Sequence, residues 1–354
     1  TNGKLNFKNS NKSEKFENID FAYKNFEKKK FNLELNYLNY KSFFKISGET
    51  TDFKEFFYDI NQQFENNNEI FGTGVVNLKS DQIFISGNLQ SERLDFGQIT
   101  KLISQFKTYK KNTVYRVNLN SPLINIDMGL SVDKIIYDNF IVNNFESKIF
   151  SKKENIVFDG LKMKHKNSLI KLDAIYLKKK ELLNGKMLIY DFIIDKSFNN
   201  ESKFYIDNAL LNCEIDFVFN NQKKLKRVLN KLSASGNCST SDVDLVGMNI
   251  EKIVTGIDNL QTFQDFFDLF DKEKMRGKTK IDSINLKFKV RNSILNIDEM
   301  IAKQKKMKVK SVGSYQFYGE KLYLKNNIFV KTQKFKDLPN FDLIINGTPK
   351  KYKI

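Results

Sequence analysis

Apolar side chains recur at every second position along most of this chain, with lysine, asparagine, aspartate or serine between them. Phe31, Leu33, Leu35 and Tyr37 share one parity; so do Cys213, Ile215, Phe217 and Phe219, and Ile284, Leu286, Phe288 and Val290. A period of two sends successive side chains to opposite faces of a strand, so each run predicts a strand with one apolar and one wet face. Lys287 and Lys289 take the wet parity. What covers the apolar faces is therefore the question on which function turns.

The elements follow in chain order. A strand at about 31–37 precedes Phe44-Lys45-Ile46-Ser47-Gly48, after which Phe53, Phe56, Phe57 and Ile60 have helical spacing. Ile99, Leu102, Ile103 and Phe106 repeat that spacing after Ile83-Phe84-Ile85-Ser86-Gly87, so sheet edge, glycine and short helix read as a weak repeat. From about 114 to 220 the pattern is almost all strand. Tyr115, Val117 and Leu119 alternate, then Ile124, Ile126 and Met128, then Ile170, Leu172, Ala174 and Tyr176. Asp159-Gly160 and Asn184-Gly185 are expected as tight connections of an antiparallel meander.

Leu225, Val228, Leu229 and Leu232 predict a short amphipathic helix at about 222–232, followed by a strand from Gly236 to Val246. Ile250, Ile253, Val254 and Ile257, and then Leu260, Phe263, Phe266, Phe267 and Phe270, predict helices across about 250–272, with Asp258 as a cap for the helix starting near Asn259. Strands close the chain, at Ile284–Val290, Ser293–Ile297, Met307–Phe317, Leu322 with Leu324, and Phe341–Ile345. Three segments result: a β-rich one with short helices at 1–110, an antiparallel meander at 111–220, and a β segment with helices at 221–354.

Composition narrows the picture. Of 354 residues 40% are hydrophobic, and 33 Phe, 14 Tyr, 3 Pro and 16 Gly describe a folded chain with long regular elements. The net charge of +17 raises nucleic acid as a partner. That charge is almost wholly lysine, however; the arginines are Arg93, Arg116, Arg227, Arg276 and Arg291, and arginine makes the bidentate base and phosphate contacts. A nucleic-acid partner is not expected, and an anionic lipid surface or a self-repelling exterior fits better. Cys213 shares its strand face with Ile215 and Phe217, which favours a plain buried thiol over a bond to Cys238 and leaves the redox compartment open. No stretch reaches the 18 or so apolar residues of a membrane-spanning helix, and Thr1 stands where an initiator methionine would, so a fragment or processed product is expected, with any anchor outside it.

Candidate chemistry is sparse. His165, the only histidine, sits between Lys164 and Lys166 without an evident partner. A zinc set, a phosphate-binding glycine loop and a serine nucleophile elbow are all lacking in the sequence, so neither enzymatic activity nor a cofactor is expected. Two arrangements of the apolar faces stay open. Two sheets pack them into a dry sandwich, or a single curled sheet keeps a concave side that holds acyl chains, each buried methylene being worth roughly 0.8 kcal/mol.

The order of elements from Gly236 onward resembles the C-terminal region of the AsmA-like family, whose large members are bridge-like proteins of the TamB and YhdP kind. The matching segments are Gly236–Val246, Gly247-Met248-Asn249-Ile250, the helices at about 250–272, Ile284–Val290, and Ser293-Ile294-Leu295-Asn296-Ile297-Asp298. Val309-Lys310-Ser311-Val312-Gly313-Ser314-Tyr315 and the closing Leu338-Pro339 to Gly347-Thr348-Pro349 continue the likeness, and Ile85-Ser86-Gly87 through Leu94-Asp95-Phe96 is similar to the family's strand-to-helix segment. Phenylalanine and lysine replace the family's usual leucine, glycine, arginine and alanine, and its N-terminal anchor is not in this sequence.

The resemblance implies a mainly β fold, a long antiparallel curled sheet forming a groove with short amphipathic helices at turns or ends. It implies a periplasmic body anchored to the inner membrane of a Gram-negative cell, and passive movement of phospholipid or other acyl-chain lipid along the groove. Its lining is then expected at Ile126, Leu172, Met187, Ile215, Phe217, Leu286, Phe288 and Val290, residues that serve equally as ordinary core. Phe263, Phe267 and Phe270 are expected to pack at an end of the sheet or gate it. The competing role is a scaffold for outer-membrane biogenesis that binds an outer-membrane or periplasmic protein through its lysines or a strand edge.

Overall fold

The computed structural model describes residues 2–9, 12–20, 29–37, 42–50, 54–64, 68–78, 82–95, 97, 123–137, 140–152, 155–194, 205–220, 228–247, 249–268, 277–331, 340–348 and 351–353. The protein is mainly β, as the alternation predicts, and two compact units divide it, 1–166 with 171–179 and 167–170 with 180–354.

The first unit contains β1 (Asn2–Asn9) and β2 (Lys12–Asp20), an antiparallel pair. It continues with β3 (Lys29–Tyr37), β4 (Ser42–Thr50), β5 (Glu55–Phe64), β6 (Asn68–Leu78) and β7 (Gln82–Asp95), each antiparallel to the one before from β3 on. β8 (Leu123–Tyr137) runs parallel to β7, and β9 (Phe140–Lys152) and β10 (Asn155–His165) resume the antiparallel order. β11 (Ser168–Leu177) follows β10 in the sheet.

In the second unit β12 (Leu182–Ile194), β14 (Ala209–Asn220), β15 (Leu232–Val246), β16 (Lys278–Arg291), β17 (Ile294–Gln304), β18 (Met307–Gln316), β19 (Lys321–Val330), β20 (Phe341–Thr348) and β21 (Lys351–Lys353) form one antiparallel succession. A three-residue strand, β13 (Tyr205–Asp207), pairs with the end of β15. Two helices, α1 (Ile250–Asp258) and α2 (Phe263–Asp268), connect β15 to β16. The sheet is thus curled and, apart from the parallel β7–β8 pair of the first unit, antiparallel, and irregular pairings such as those between Ile189 and Phe192 and between Lys287 and Phe288 supply local bends.

Several local expectations are corrected. Phe56, Phe57 and Ile60 lie in β5, not in a helix. Their spacing suits a helix, but Phe56, Tyr58 and Ile60 also alternate, and pairing with β4 and β6 settles the matter in favour of the strand. Asp159-Gly160 and Asn184-Gly185 lie inside β10 and β12 and connect nothing; Gly160, at φ +59°, marks a register shift. The β16–β17 connection is Asn292-Ser293, whose φ values of 52° and 63° are those of a type I′ turn. Residues Val228–Lys231 form one 3-10 turn and Leu232 already opens β15, so the described part of the predicted helix is that turn and a strand start, and 222–227 lie outside the described residues. Leu225, Phe53, the helical spacing from Ile99 to Phe106, and Tyr115, Val117 and Leu119 lie outside the described residues.

α1 forms where its spacing predicts. Asn249 caps it, Oδ1 accepting from the Lys252 N–H at 3.0 Å, and Val254 and Ile257 are buried. Asp258 ends this helix and does not open the next, a further correction. The cap of α2 is Thr262, whose Oγ1 accepts from the Asp265 N–H at 3.2 Å while the Asp265 carboxylate accepts from the Thr262 and Gln261 N–H groups. Those bonds stabilise the charged carboxylate and hold its pKa below the usual value. The tightest packing of the second unit lies at the same end of the sheet, where Ala209, Val243 and Ile281 are buried together with Ile194, Ile206 and Leu245 around them.

Candidate apolar binding face

Register converts the alternation of single strands into continuous rows. In the second unit Met187, Ile215, Gly236, Phe288, Ile297, Gly313, Leu324 and Ile345 are successive cross-strand partners from β12 to β20. One neighbouring row on the same face runs Gly185, Phe217, Ala234, Val290, Leu295, Tyr315 and Leu322, and the row on the other side of the first contains Ile189, Cys213, Cys238, Leu286 and Met300. Six of the eight expected lining residues therefore share one face: Met187, Ile215, Phe217, Leu286, Phe288 and Val290. Ile126 and Leu172 belong to the first unit, on β8 and β11.

Small residues set the relief of this face. Gly236 stands between Ile215 and Phe288, and a Cβ there would come within 3.1 Å of the Phe288 ring and 2.6 Å of the Glu214 carbonyl. Gly313 has the same relation to Leu324, at 2.9 Å from a Leu324 methyl. Large side chains thus lean across glycines and pack along the sheet. Phe288 at 9% and Val290 at 8% are the most covered, while Met187, Ile215, Phe217 and Leu286 are half-buried. A dry sandwich would leave nearly all of these inaccessible, since its interior reaches crystal-like density.

Cys213 and Cys238 are directly opposed on β14 and β15 and form a disulfide, with Cα atoms 4.2 Å apart. This corrects the expected buried thiol. Sharing a face with Ile215 argued for burial, but only the register shows that the second cysteine occupies the facing position. The bond lies on the apolar face beside Leu286.

The opposite face is wet, and several of its lysines are matched by carboxylates. Lys186 pairs with Glu214, which raises the Lys186 pKa. Lys289 meets Asp298 at 2.8 Å and Lys325 meets Asp342 at 3.1 Å. Asn327 and Lys325 together hold the Asp342 carboxyl below its ordinary pKa. A depression of about 420 Å³ lies along the row Leu188, Glu214, Asn237, Lys287 and Glu299, and its lining mixes charged side chains with apolar ones such as Leu188 and Tyr190. Lys287 and Lys289 are exposed, as expected.

The first unit carries its own apolar face. Tyr58, Gly74, Gly87, Met128, Ile149 and Phe158 form one row, with Phe56, Val76, Ile85 and Ile126 beside it. The Tyr58 side chain lies over Gly74 and Gly87, its hydroxyl 3.6 Å from Met128 Sδ and donating to the Ser86 carbonyl at 3.3 Å. Burial pushes the phenol pKa up. Helical spacing absorbs the neighbours of Tyr58 in the sequence; its parity with Phe56 and Ile60 is the signal that places it on the strand face.

Phe263 and Phe267 lie on α2, at the end of the sheet where α1 packs, and Phe270 lies outside the described residues. His165 ends β10, its Nδ1 2.6 Å from the Ile141 carbonyl, so a structural hydrogen bond engages the ring. No family model, curated protein or solved structure matches the chain.

Proposed function

We propose that the apolar strand faces hold the acyl chains of phospholipids, and that the protein moves or stores lipid by a non-enzymatic route. The observation that carries this reading is the half-buried state of Met187, Ile215, Phe217 and Leu286, contiguous on one face across β12 to β16. An acyl chain laid along these rows gains roughly 0.8 kcal/mol for each methylene withdrawn from water, and the head group stays hydrated. The glycine-relieved surface suits a flexible hydrocarbon because it fixes no single ligand shape.

The Cys213–Cys238 bond supports an oxidising compartment, in keeping with a periplasmic body. The AsmA-like order of elements supports anchoring to an inner membrane and a role in outer-membrane lipid homeostasis.

Photo-crosslinkable residues at Phe217 and Phe288 test the proposal in cells. Phospholipid adducts at either position are expected, with none at Lys287 on the wet face. A folded protein that yields no lipid at 217 and 288, or that yields only a protein adduct there, sinks the lipid reading; the protein adduct would turn attention to a scaffold role in outer-membrane assembly.

A further inference from the structure

The β17–β18 hairpin breaks the charge matching seen elsewhere on the wet face. Its sequence, Ala302-Lys303-Gln304-Lys305-Lys306-Met307-Lys308-Val309-Lys310, carries five lysines and no acid. Lys303 and Lys308 are direct cross-strand partners, an arrangement of like charges that costs stability. The flanking strands supply no counter-charge opposite them: Ser283 faces Lys303, Phe329 faces Lys308 and Asn327 faces Lys310. Lys305 and Lys306 form the exposed turn, and the Lys331 N–H donates to the Lys306 carbonyl at 2.8 Å, which brings a sixth lysine alongside; all but the half-buried Lys308 are exposed. Among the described residues none of these six forms an ion pair.

We infer that this hairpin docks the protein on an anionic lipid bilayer. Concentrated, uncompensated positive charge at a rigid tip is complementary to a negatively charged membrane surface, where each lysine contributes independently of precise geometry. The chemistry is that of point charges. The hairpin sequence contains no arginine for bidentate contacts, and among the described residues the aromatic beside it, Phe329, is taken up by Lys310, whose Nζ stands 5.7 Å from the ring centroid. That set suits a diffuse lipid surface better than nucleic acid, which stacks its bases on successive aromatic side chains. The turn also lies at the same end of the second unit's sheet as α1, the end reached by the C-termini of β15 and β17.

Vesicle co-sedimentation of the whole 354-residue chain provides the test, with vesicles of phosphatidylcholine alone and with added phosphatidylglycerol. Binding to the anionic vesicles only is expected, falling with salt as surface electrostatics does. Lys305→Gln with Lys306→Gln should weaken it about tenfold, and Lys331→Gln alone, on a different segment, about threefold. Lys287→Gln with Lys289→Gln should leave it within about twofold, because those lysines sit among carboxylates.

Equal binding to neutral vesicles overturns the inference, as does an equal loss in the 287/289 pair, or tighter binding to single-stranded DNA than to anionic vesicles at matched phosphate. Docking does not require the apolar face to hold lipid. Crosslinking at Phe217 and Phe288 without vesicle binding removes the docking site alone, and vesicle binding without crosslinking removes the acyl-chain reading alone.

Discussion

Both units lay a large side chain flat over glycine on an apolar strand face, and they differ in how the arrangement is secured. In the first unit a phenol crosses Gly74 and Gly87, and its hydroxyl ends at the Ser86 carbonyl and Met128 Sδ. In the second, Phe288 leans over Gly236 with no polar handle, and a disulfide joins β15, the strand that carries Gly236, to the neighbouring β14. A sheet without a dense interior behind it must obtain rigidity within its own plane. The first unit draws on a hydrogen-bonded side chain, the second on a covalent bond.

Breaking the covalent device should have the largest effect. Cys213→Ser with Cys238→Ser, or reduction with dithiothreitol, is expected to cost about 3 kcal/mol, read as faster hydrogen exchange at β14 and β15 amides. Unchanged protection there would mean that the ladder alone holds the strands. Next comes Gly74→Val, whose side chain would collide with the Ser86 carbonyl and the Tyr58 hydroxyl, and which should cost about 2 kcal/mol in a denaturant titration. Gly160→Asn is its control. A Cβ at 160 meets nothing within 4 Å and asparagine tolerates the positive φ, so a change within about 0.5 kcal/mol is expected.

Tyr58→Phe sharpens the comparison by making the first unit's ring resemble Phe288. Loss of the hydroxyl should cost about 1 kcal/mol, measured by the same titration. Because burial raises the folded phenol pKa, the native state retains its proton longer than the unfolded chain. The resulting stability is present below the ordinary value near 10 and is lost as pH rises through the raised folded value; the Phe variant should lack that alkaline dependence. The smallest effect belongs to Asp342→Asn on the wet face. The folded carboxyl is depressed, so its contribution is present above about 3.8 and disappears as pH falls through the lowered value. Removing the charge should lower the melting temperature slightly at neutral pH, leave it unchanged below the lowered value, and so flatten that acid limb.

Much of the fold was readable in advance wherever one parity was consistently apolar. The strands at 284–290 and 213–219, the helix at 250–258 and the exposed Lys287 and Lys289 all follow from local periodicity. The errors cluster where two periods fit the same residues, as at Phe56, Phe57 and Ile60, or where a turn dipeptide sits inside a strand, as at Asn184-Gly185. Gly185 is opposite Phe217, so it provides room for a ring and no turn. Of the candidate site, six residues came together because they already shared parity on strands that proved to be neighbours; their companions Ile297, Leu324 and Ile345 needed the register to join them.

Periodicity by itself determined which residues of a strand share a face, because the alternation of side chains is a property of the extended backbone. It also determined that the lysines face water, since an unpaired charge has no stable place on an apolar row. Pairing decided the rest. That Cys213 meets Cys238, that Tyr58 reaches Met128, and that Lys303 faces Lys308 with no acid beside them all depend on which strands are neighbours and in what register. Those are relations between residues distant in the chain, and no local pattern encodes them.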